Sequence, residues 1–334
     1  MCPALYAKKN TCAKEKTSEM ANLLLRATMC PPLQHQLQLR SLSKTLTFLS
    51  PLNPFHTPAV FRRKMSAKSP ALTHSITLAS QLARPVRIVA APGVSDLEFW
   101  SAIDSSLFKQ WLKNIESETG ILSGGDLSLE QVLIQGVDMF GKRIGFLKFK
   151  ADVLDKSTGK KVPGIVFARG PAVAILILLD SEDETYAVLT EQVRVPIGRL
   201  VLELPAGMLD DDEGDIVGTA VREVEEETGI KLSVEDMIDL TAFLDPSTGR
   251  SVIPSPGGCD EGLSMFLYRG QVDKGVIAQL EGKETGLRDH GELIKVRVVP
   301  YAKLWHMTAD AKVLIAIALY EMAKREGLLP PPKV

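Results

Sequence analysis

The stretch Gly207–Ile230, GMLDDDEGDIVGTAVREVEEETGI, decides how the rest of this chain is read. Its second half, Asp215–Thr228, carries Ile216, Val217, Ala220, Val221 and Val224 at helical spacing, so one stripe of a helix faces a core. At about 100° per residue, Glu223, Glu226 and Glu227 share another side of it, while Glu225 points away. Carboxylates three and four residues apart repel one another by a few tenths of a kcal/mol per pair. A divalent cation reverses that sign, because Mg²⁺ takes oxygen ligands and shares carboxylates with substrate phosphates. An ordinary solvated acidic face is the alternative. Gly207 in the preceding loop and Gly229 at the C-cap frame a loop–helix–stop unit, which favours the cation.

Outward from this helix, Pro171–Leu179 is nearly all apolar and reads as a central strand covered on both faces. Tyr186–Gln192, Leu200–Leu204, Met237–Phe243, Gly262–Tyr268 and Ile294–Val299 are further strands, and Thr308–Arg325 a closing helix. Mixed strands with helices on both sides define an α/β/α sandwich over residues 165–334. Upstream, Ser95 and Glu98 form a capping-box pattern ahead of a helix to Glu118. Val132–Val137, Arg143–Val153 and Val162–Phe167 read as strands, with turns at Phe140-Gly141-Lys142 and Ser157-Thr158-Gly159. This makes a small N-terminal α+β domain over residues 66–164, too small to bury a good core alone. It is expected to pack on its neighbour or on a second copy, serving substrate binding and dimerisation.

No Asp or Glu occurs from Met20 to Val94, while Lys, Arg, Ser and Thr are scattered throughout. Residues 1–65 hold ten Lys/Arg against two Asp/Glu, which reads as an organelle transit peptide or disordered leader. The remainder carries 29 Lys/Arg against 39 Asp/Glu, a net of −10, and an acidic body lacks the basic footprint of nucleic-acid binding. No apolar run approaches the ~20 residues of a membrane span. Three of the four cysteines precede residue 31, leaving Cys259 alone in the body, so disulfides are no framework here and zinc clusters are excluded. Cys259 is expected to border the pocket, either as an inert thiol or as a redox-sensitive one.

Arg222–Ile230, REVEEETGI, matches the second half of the Nudix box, and the chain is identified as resembling the Nudix hydrolases. The first half departs from the family pattern: eight residues rather than seven separate Glu213 from Arg222, so the loop after Gly207 is one residue longer than the pattern. Arg169, Glu191-Gln192-Val193-Arg194, Leu202–Gly207 and Ser255-Pro256-Gly257 followed by Glu261 resemble the ADP-sugar pyrophosphatase branch, plant plastid members above all. That resemblance implies Mg²⁺-dependent hydrolysis of ADP-glucose or ADP-ribose, with Mn²⁺ as an alternative ion, by a plastid homodimer; a mitochondrial location is the second reading. Glu223, Glu226, Glu227 and the Ala206 carbonyl would hold metal, with Glu226 and Glu227 catalytic. Glu292, or failing it Asp289, would be the general base in the loop before Ile294. Arg169, Arg194, Glu203, Ser255 and Gly257 would bind substrate, although ion pairing serves equally well for either arginine. Arg222 would orient the loop by pairing with a carboxylate. Adenine needs an apolar clamp, for which Phe140, Phe146 and Phe149 are the candidates. A hydrolase of UDP-sugars or of other nucleoside diphosphate conjugates, and a non-catalytic nucleotide-sugar sensor, remain the alternatives.

Overall fold

The computed structural model describes residues 72–209, 215–286 and 293–331, so the expectations for residues 1–65, Glu213, Asp289 and Glu292 lie outside the described residues. The first sheet is built from β1 (Thr73–Ile76), β2 (Val86–Ala90), β3 (Leu127–Phe140), β4 (Arg143–Asp155), β5 (Lys161–Val162) and β6 (Ile165–Ala168). Its order is β1-β2-β3-β4-β5, with β6 also on β4, and β2 runs parallel to β3. Two helices cover it, α1 (Asp96–Asp104) and α2 (Ser106–Glu116). Ser95 and Glu98 form the expected reciprocal capping box, with the Ser95 N–H donating to Glu98 Oε2 at 2.7 Å.

The single helix expected here is two. Ser105 is extended (φ −63°, ψ 148°); its hydroxyl donates to the Ala102 carbonyl at 2.6 Å and accepts from the Phe108 N–H at 3.1 Å. One residue therefore closes α1 and caps α2. The strand expected over Val162–Phe167 divides into β5 and β6 at Pro163-Gly164, where the chain presses on β4: a Cβ on Gly164 would lie 2.0 Å from the Ala151 carbonyl oxygen. The domain also owns the core it was expected to lack. Phe99, Phe108, Trp111, Ile88, Leu129, Val132, Ile134 and Phe149 are buried together, with Trp111 and Phe149 edge to face at 4.7 Å. The missing apolar surface comes from β2, where Val86, Ile88 and Ala90 alternate inward within an acid-free stretch whose composition masks the strand.

The second sheet comprises β7 (Ala172–Ser181), β8 (Glu184–Arg194), β9 (Arg199–Glu203), β10 (Ala206–Met208), β11 (Ile238–Asp239), β12 (Leu263–Gln271), β13 (Glu284–Thr285) and β14 (Ile294–Pro300). The main path is β11-β12-β7-β8-β14-β13, with β9 on β8 and β10 on β7. Among the described strands of this second sheet only the β12–β7 pair is parallel, so the sheet is mixed. Its helices are α3 (Ile216–Thr228), α4 (Lys274–Leu280), α5 (Tyr301–Leu304) and α6 (Ala311–Arg325).

Strand β7 is the centre of three layers. Val173, Ile175, Ile177 and Leu179 pack with Ala220 and Val224 of α3 and Leu280 of α4. Ala172, Ala174, Leu176 and Leu178 on the opposite face pack with Val313, Ala316 and Tyr320 of α6. The class is α/β, an α/β/α sandwich with a mixed sheet alongside the smaller α+β layer, and both sheets belong to one compact unit. Two elements come out shorter than expected. Strand pairing over Met237–Phe243 stops at Asp239, whose carboxylate accepts the N–H groups of Thr241 (2.8 Å) and Ala242 (3.0 Å) and turns the chain into a short 3₁₀ segment. The last helix begins at Ala311 rather than Thr308, because Asp310 caps it through the Lys312 N–H at 3.1 Å.

Candidate active site

Strand β10 and helix α3 bring the two halves of the Gly207–Ile230 stretch against each other. Asp215 caps α3 through the Gly218 N–H at 2.9 Å, and Gly229, in the left-handed conformation (φ 74°), ends it. Gly207 lies under the Glu223 side chain so closely that a Cβ there would stand 1.9 Å from Glu223 Cδ. Glycine is required at 207 to let that carboxylate in.

Glu227, on the same helix edge, is buried at 7% exposure. Its Oε2 accepts the Ala206 N–H at 3.1 Å and its Oε1 accepts from Gln192 Nε2 at 3.1 Å. Burial, reinforced by the negative charge of Glu223, pushes its pKa up to about 8, against the opposing pull of those hydrogen bonds and Arg194. Two carboxylates thus lie one turn apart on the edge of α3 that faces β10. Glu226 stands at the exposed edge, 3.9 Å from Arg222 one turn earlier. Among the described residues, no three His, Cys, Asp or Glu side chains converge closely enough to hold a metal alone. The donor chemistry nevertheless fits a hard divalent cation: oxygen ligands only, with a buried carboxylate whose charge its hydrogen bonds and Arg194 offset only in part.

A cavity of about 590 Å³ opens beside this junction, and Ala206, Gly207 and Met208 form part of its wall. Phe140 and Phe146 line it, their rings edge to face at 5.7 Å, together with Arg169, Arg194 and Glu203. Three contacts hold Arg169: its guanidinium lies 3.4 Å from Glu261 and 5.3 Å over the Phe146 ring, with Nε 3.1 Å from Met208 Sδ. The backbone N–H groups of Arg169 and Gly170 both donate to Asp260 Oδ1, at 2.7 and 3.2 Å. Arg194 makes a two-pronged pair with buried Glu203, at 2.5 and 3.1 Å, and Lys312 Nζ reaches the same carboxylate at 2.8 Å. Each arginine is thus both ion-paired and cavity-lining.

Other expected residues lie elsewhere. Phe149 is fully buried against Phe108 and Trp111 and cannot clamp a base. Gly257 and Cys259 line a second cavity of about 480 Å³, with Trp111, Ile121 and Ile165, and the Ser255 carbonyl accepts the Gly258 and Cys259 N–H groups. Cys259 therefore does not border the first cavity, and burial raises its thiol pKa, which favours an inert thiol. Sequence reasoning passed over Gln192, Asp260, Asp310 and Lys312 as partners. Gln192 carried a signal, since it alternates with buried Thr190 on one face of β8. Asp310 and Lys312 carried none, because Lys312 meets Glu203 across 109 residues of chain.

A family profile described as the NUDIX domain matches residues 168–317, spanning β7 to α6. The chain is 70% identical to Nudix hydrolase 14, chloroplastic, of Arabidopsis thaliana over 278 residues, 83% of this chain and 90% of that one. The chain belongs to the Nudix hydrolase family. It is also 30% identical to the ADP-ribose pyrophosphatase of Bacillus subtilis (strain 168) over 140 residues, 42% of this chain and 66% of that one. A methanol dehydrogenase activator of Bacillus methanolicus is 28% identical over 193 residues, 58% of this chain and 94% of that one.

Proposed function

We propose that the protein hydrolyses the diphosphate bond of ADP-sugars such as ADP-glucose and ADP-ribose, in an Mg²⁺-dependent reaction. The observation that carries this reading is the 590 Å³ cavity, which sets two aromatic rings and two arginines on walls continuous with Ala206 and Gly207. An apolar clamp for a base, guanidinium groups for phosphates and a carboxylate pair for a cation are the parts an ADP-sugar requires. The likeness to a protein named ADP-ribose pyrophosphatase supports the same substrate class.

Water adds to one phosphorus, the bridging P–O bond breaks and a proton is released. The products are AMP and a sugar 1-phosphate, or AMP and ribose 5-phosphate from ADP-ribose. Glu223, Glu226, Glu227 and the Ala206 carbonyl are the groups that would hold Mg²⁺. When bound, the ion would offset diphosphate charge and lower the pKa of a water molecule. Gln192 and the Ala206 N–H fix the Glu227 carboxylate, Arg169 and Arg194 orient the diphosphate, and Phe140 with Phe146 receives the base. Glu292, with Asp289 second, would accept the proton. Purified full chain incubated with ADP-glucose, ADP-ribose, UDP-glucose and NADH, with and without Mg²⁺, tests the reading by chromatography. Mg²⁺-dependent AMP release, fastest from an ADP-sugar, is expected; absence of AMP, or faster release of UMP from UDP-glucose, overturns it.

The reading extends to residues 1–65 as a plastid transit peptide, supported by their basic, acid-poor composition and by the chloroplastic relative. It also includes a homodimer. Among the described residues, no helix is long and apolar enough to cross a membrane.

A further inference from the structure

Strand β9 lines the 590 Å³ cavity with every second residue: Arg199, Val201 and Glu203 face it, and Leu200 and Leu202 between them do not. That alternation is the period of a strand, so side chains rather than backbone form this wall. Arg199 is exposed and open to a ligand. In the β8–β9 hairpin it lies directly opposite Arg194, which lines the same cavity, and like charges in that register repel each other. The cations of the cavity differ in how they are engaged. Arg169 is paired with Glu261, and Lys312 with Glu203 and Asp310. Arg194 turns Nε and Nη2, both prongs of its fork, to Glu203. Among the described residues, Arg199 has no hydrogen-bond or ion-pair partner. The carboxylates lining the cavity, Glu203, Glu261 and Asp310, are thus matched by Arg169, Arg194 and Lys312, and the positive charge left over belongs to Arg199.

We infer that Arg199 is a substrate-binding residue whose free guanidinium fork donates to phosphate oxygens of the diphosphate. The inference rests on the ADP-sugar reading above and adds to it a contact from β9. A planar guanidinium matches phosphate with two parallel N–H donors. Arg194 can offer that fork only by releasing Glu203, a buried carboxylate, whereas Arg199 gives up nothing but water. An anion seated between Arg194 and Arg199 also relieves their mutual repulsion, which a neutral hydroxyl does not. Arg199 therefore provides the net attraction for negative charge in a cavity whose other cations are already balanced.

The test is a calorimetric titration of the full chain with ADP-glucose in EDTA, where hydrolysis does not compete, at low and at high salt. At low salt Arg199→Gln is expected to bind about tenfold more weakly than wild type, the worth of one charge-assisted contact. Arg199→Lys, which keeps the charge and loses the fork, should stay within about threefold of wild type. High salt should narrow the gap between wild type and Arg199→Gln, because an exposed charge is screened. Sedimentation of the variants beside wild type at the same concentration checks that Arg199 does not act through a second copy. The inference is overturned if Arg199→Gln binds within about twofold of wild type at low salt, or if its loss is the same at both salts. A change in sedimentation accompanying the loss overturns it too, as does a wild type without affinity for ADP-glucose. The ADP-sugar reading fails separately, through absence of AMP release with Mg²⁺.

Discussion

At the residue scale, Glu227 carries the largest expected effect. It is the buried member of the carboxylate pair; in Glu227→Gln the amide oxygen can still accept the Ala206 N–H, and the new NH2 can donate to Gln192 once that amide turns over, while the charge that a cation needs is removed. Turnover of ADP-glucose is expected to drop by at least about a hundredfold with nucleotide binding retained, read from kcat and KM separately. Unchanged turnover would remove Glu227 from the chemistry. Glu203 tests the ion-pair network instead. Burial alone would raise its pKa, but the Arg194 hydrogen bond and the Lys312 charge outweigh it, and the net shift is downward. A carboxyl lowered on folding stabilises the protein above its unfolded value, here 4.5, and that contribution disappears as pH falls through the folded value. Glu203→Gln should therefore cost about 3 kcal/mol near pH 7, with the gap to wild type closing below the unfolded value, measured by urea denaturation across pH. The glutamates themselves were legible in the sequence, because helical spacing places them on one edge. Their unequal burial was not: 3.6-residue periodicity says which side chains share a face, and only the neighbouring strands β8 and β10 decide that Glu227 is enclosed while Glu226 is exposed.

At the element scale, two glycines separate geometry from stability. Gly229 has φ 74°, a left-handed conformation that costs an L side chain about 1–2 kcal/mol. An added Cβ would also displace Lys283 Nζ, which donates to the Thr228 carbonyl at 3.3 Å and complements the end of α3. Gly229→Ala is thus expected to lower the unfolding free energy, read from denaturant titration, by about that amount while leaving ADP-glucose affinity near wild type. Gly207→Ala should do the converse. Its Cβ meets the flexible end of Glu223, which can swing away at modest stability cost but takes a carboxylate out of the site. Activity should fall at least about tenfold with the melting temperature within a few degrees; equal activity would show that Glu223 needs no such access. Most elements of the second sheet were readable, since β7 is continuous apolar sequence and α3 has caps at both ends. Among the elements missed or misjudged were β1, β2, β10, β13, α4, α5, the β5–β6 break and the broken α1–α2 helix. They are short, or a single serine or proline redirects the chain, and periodicity over a few residues cannot reveal that.

At the scale of the whole molecule, the mouth of the cavity is ringed by exposed apolar side chains. Phe140 is 51% exposed, Val193 54%, Val195 81% and Ile197 57%, all lining the same opening. An apolar rim of this kind suits an interface, and the expected homodimer should appear in sedimentation equilibrium at micromolar protein. Val195→Asp is expected to shift it toward monomer; a wild-type monomer would contradict the dimer. Fused to a fluorescent protein, residues 1–65 should direct it to plastids, and a diffuse or mitochondrial signal would refute that destination. The sequence by itself determined the family and the central layers, because a helix with its caps, its apolar stripe and its carboxylate spacing is encoded within 24 consecutive residues, and β7 within ten. Only the tertiary structure decided the cavity. Phe146 from β4, Arg194 from β8, Glu203 from β9 and Lys312 from α6 meet there through separate strand pairings and the packing of α6 on the sheet. No local pattern records such a meeting, because burial and electrostatic partnership belong to the enclosed space and not to the chain that passes through it.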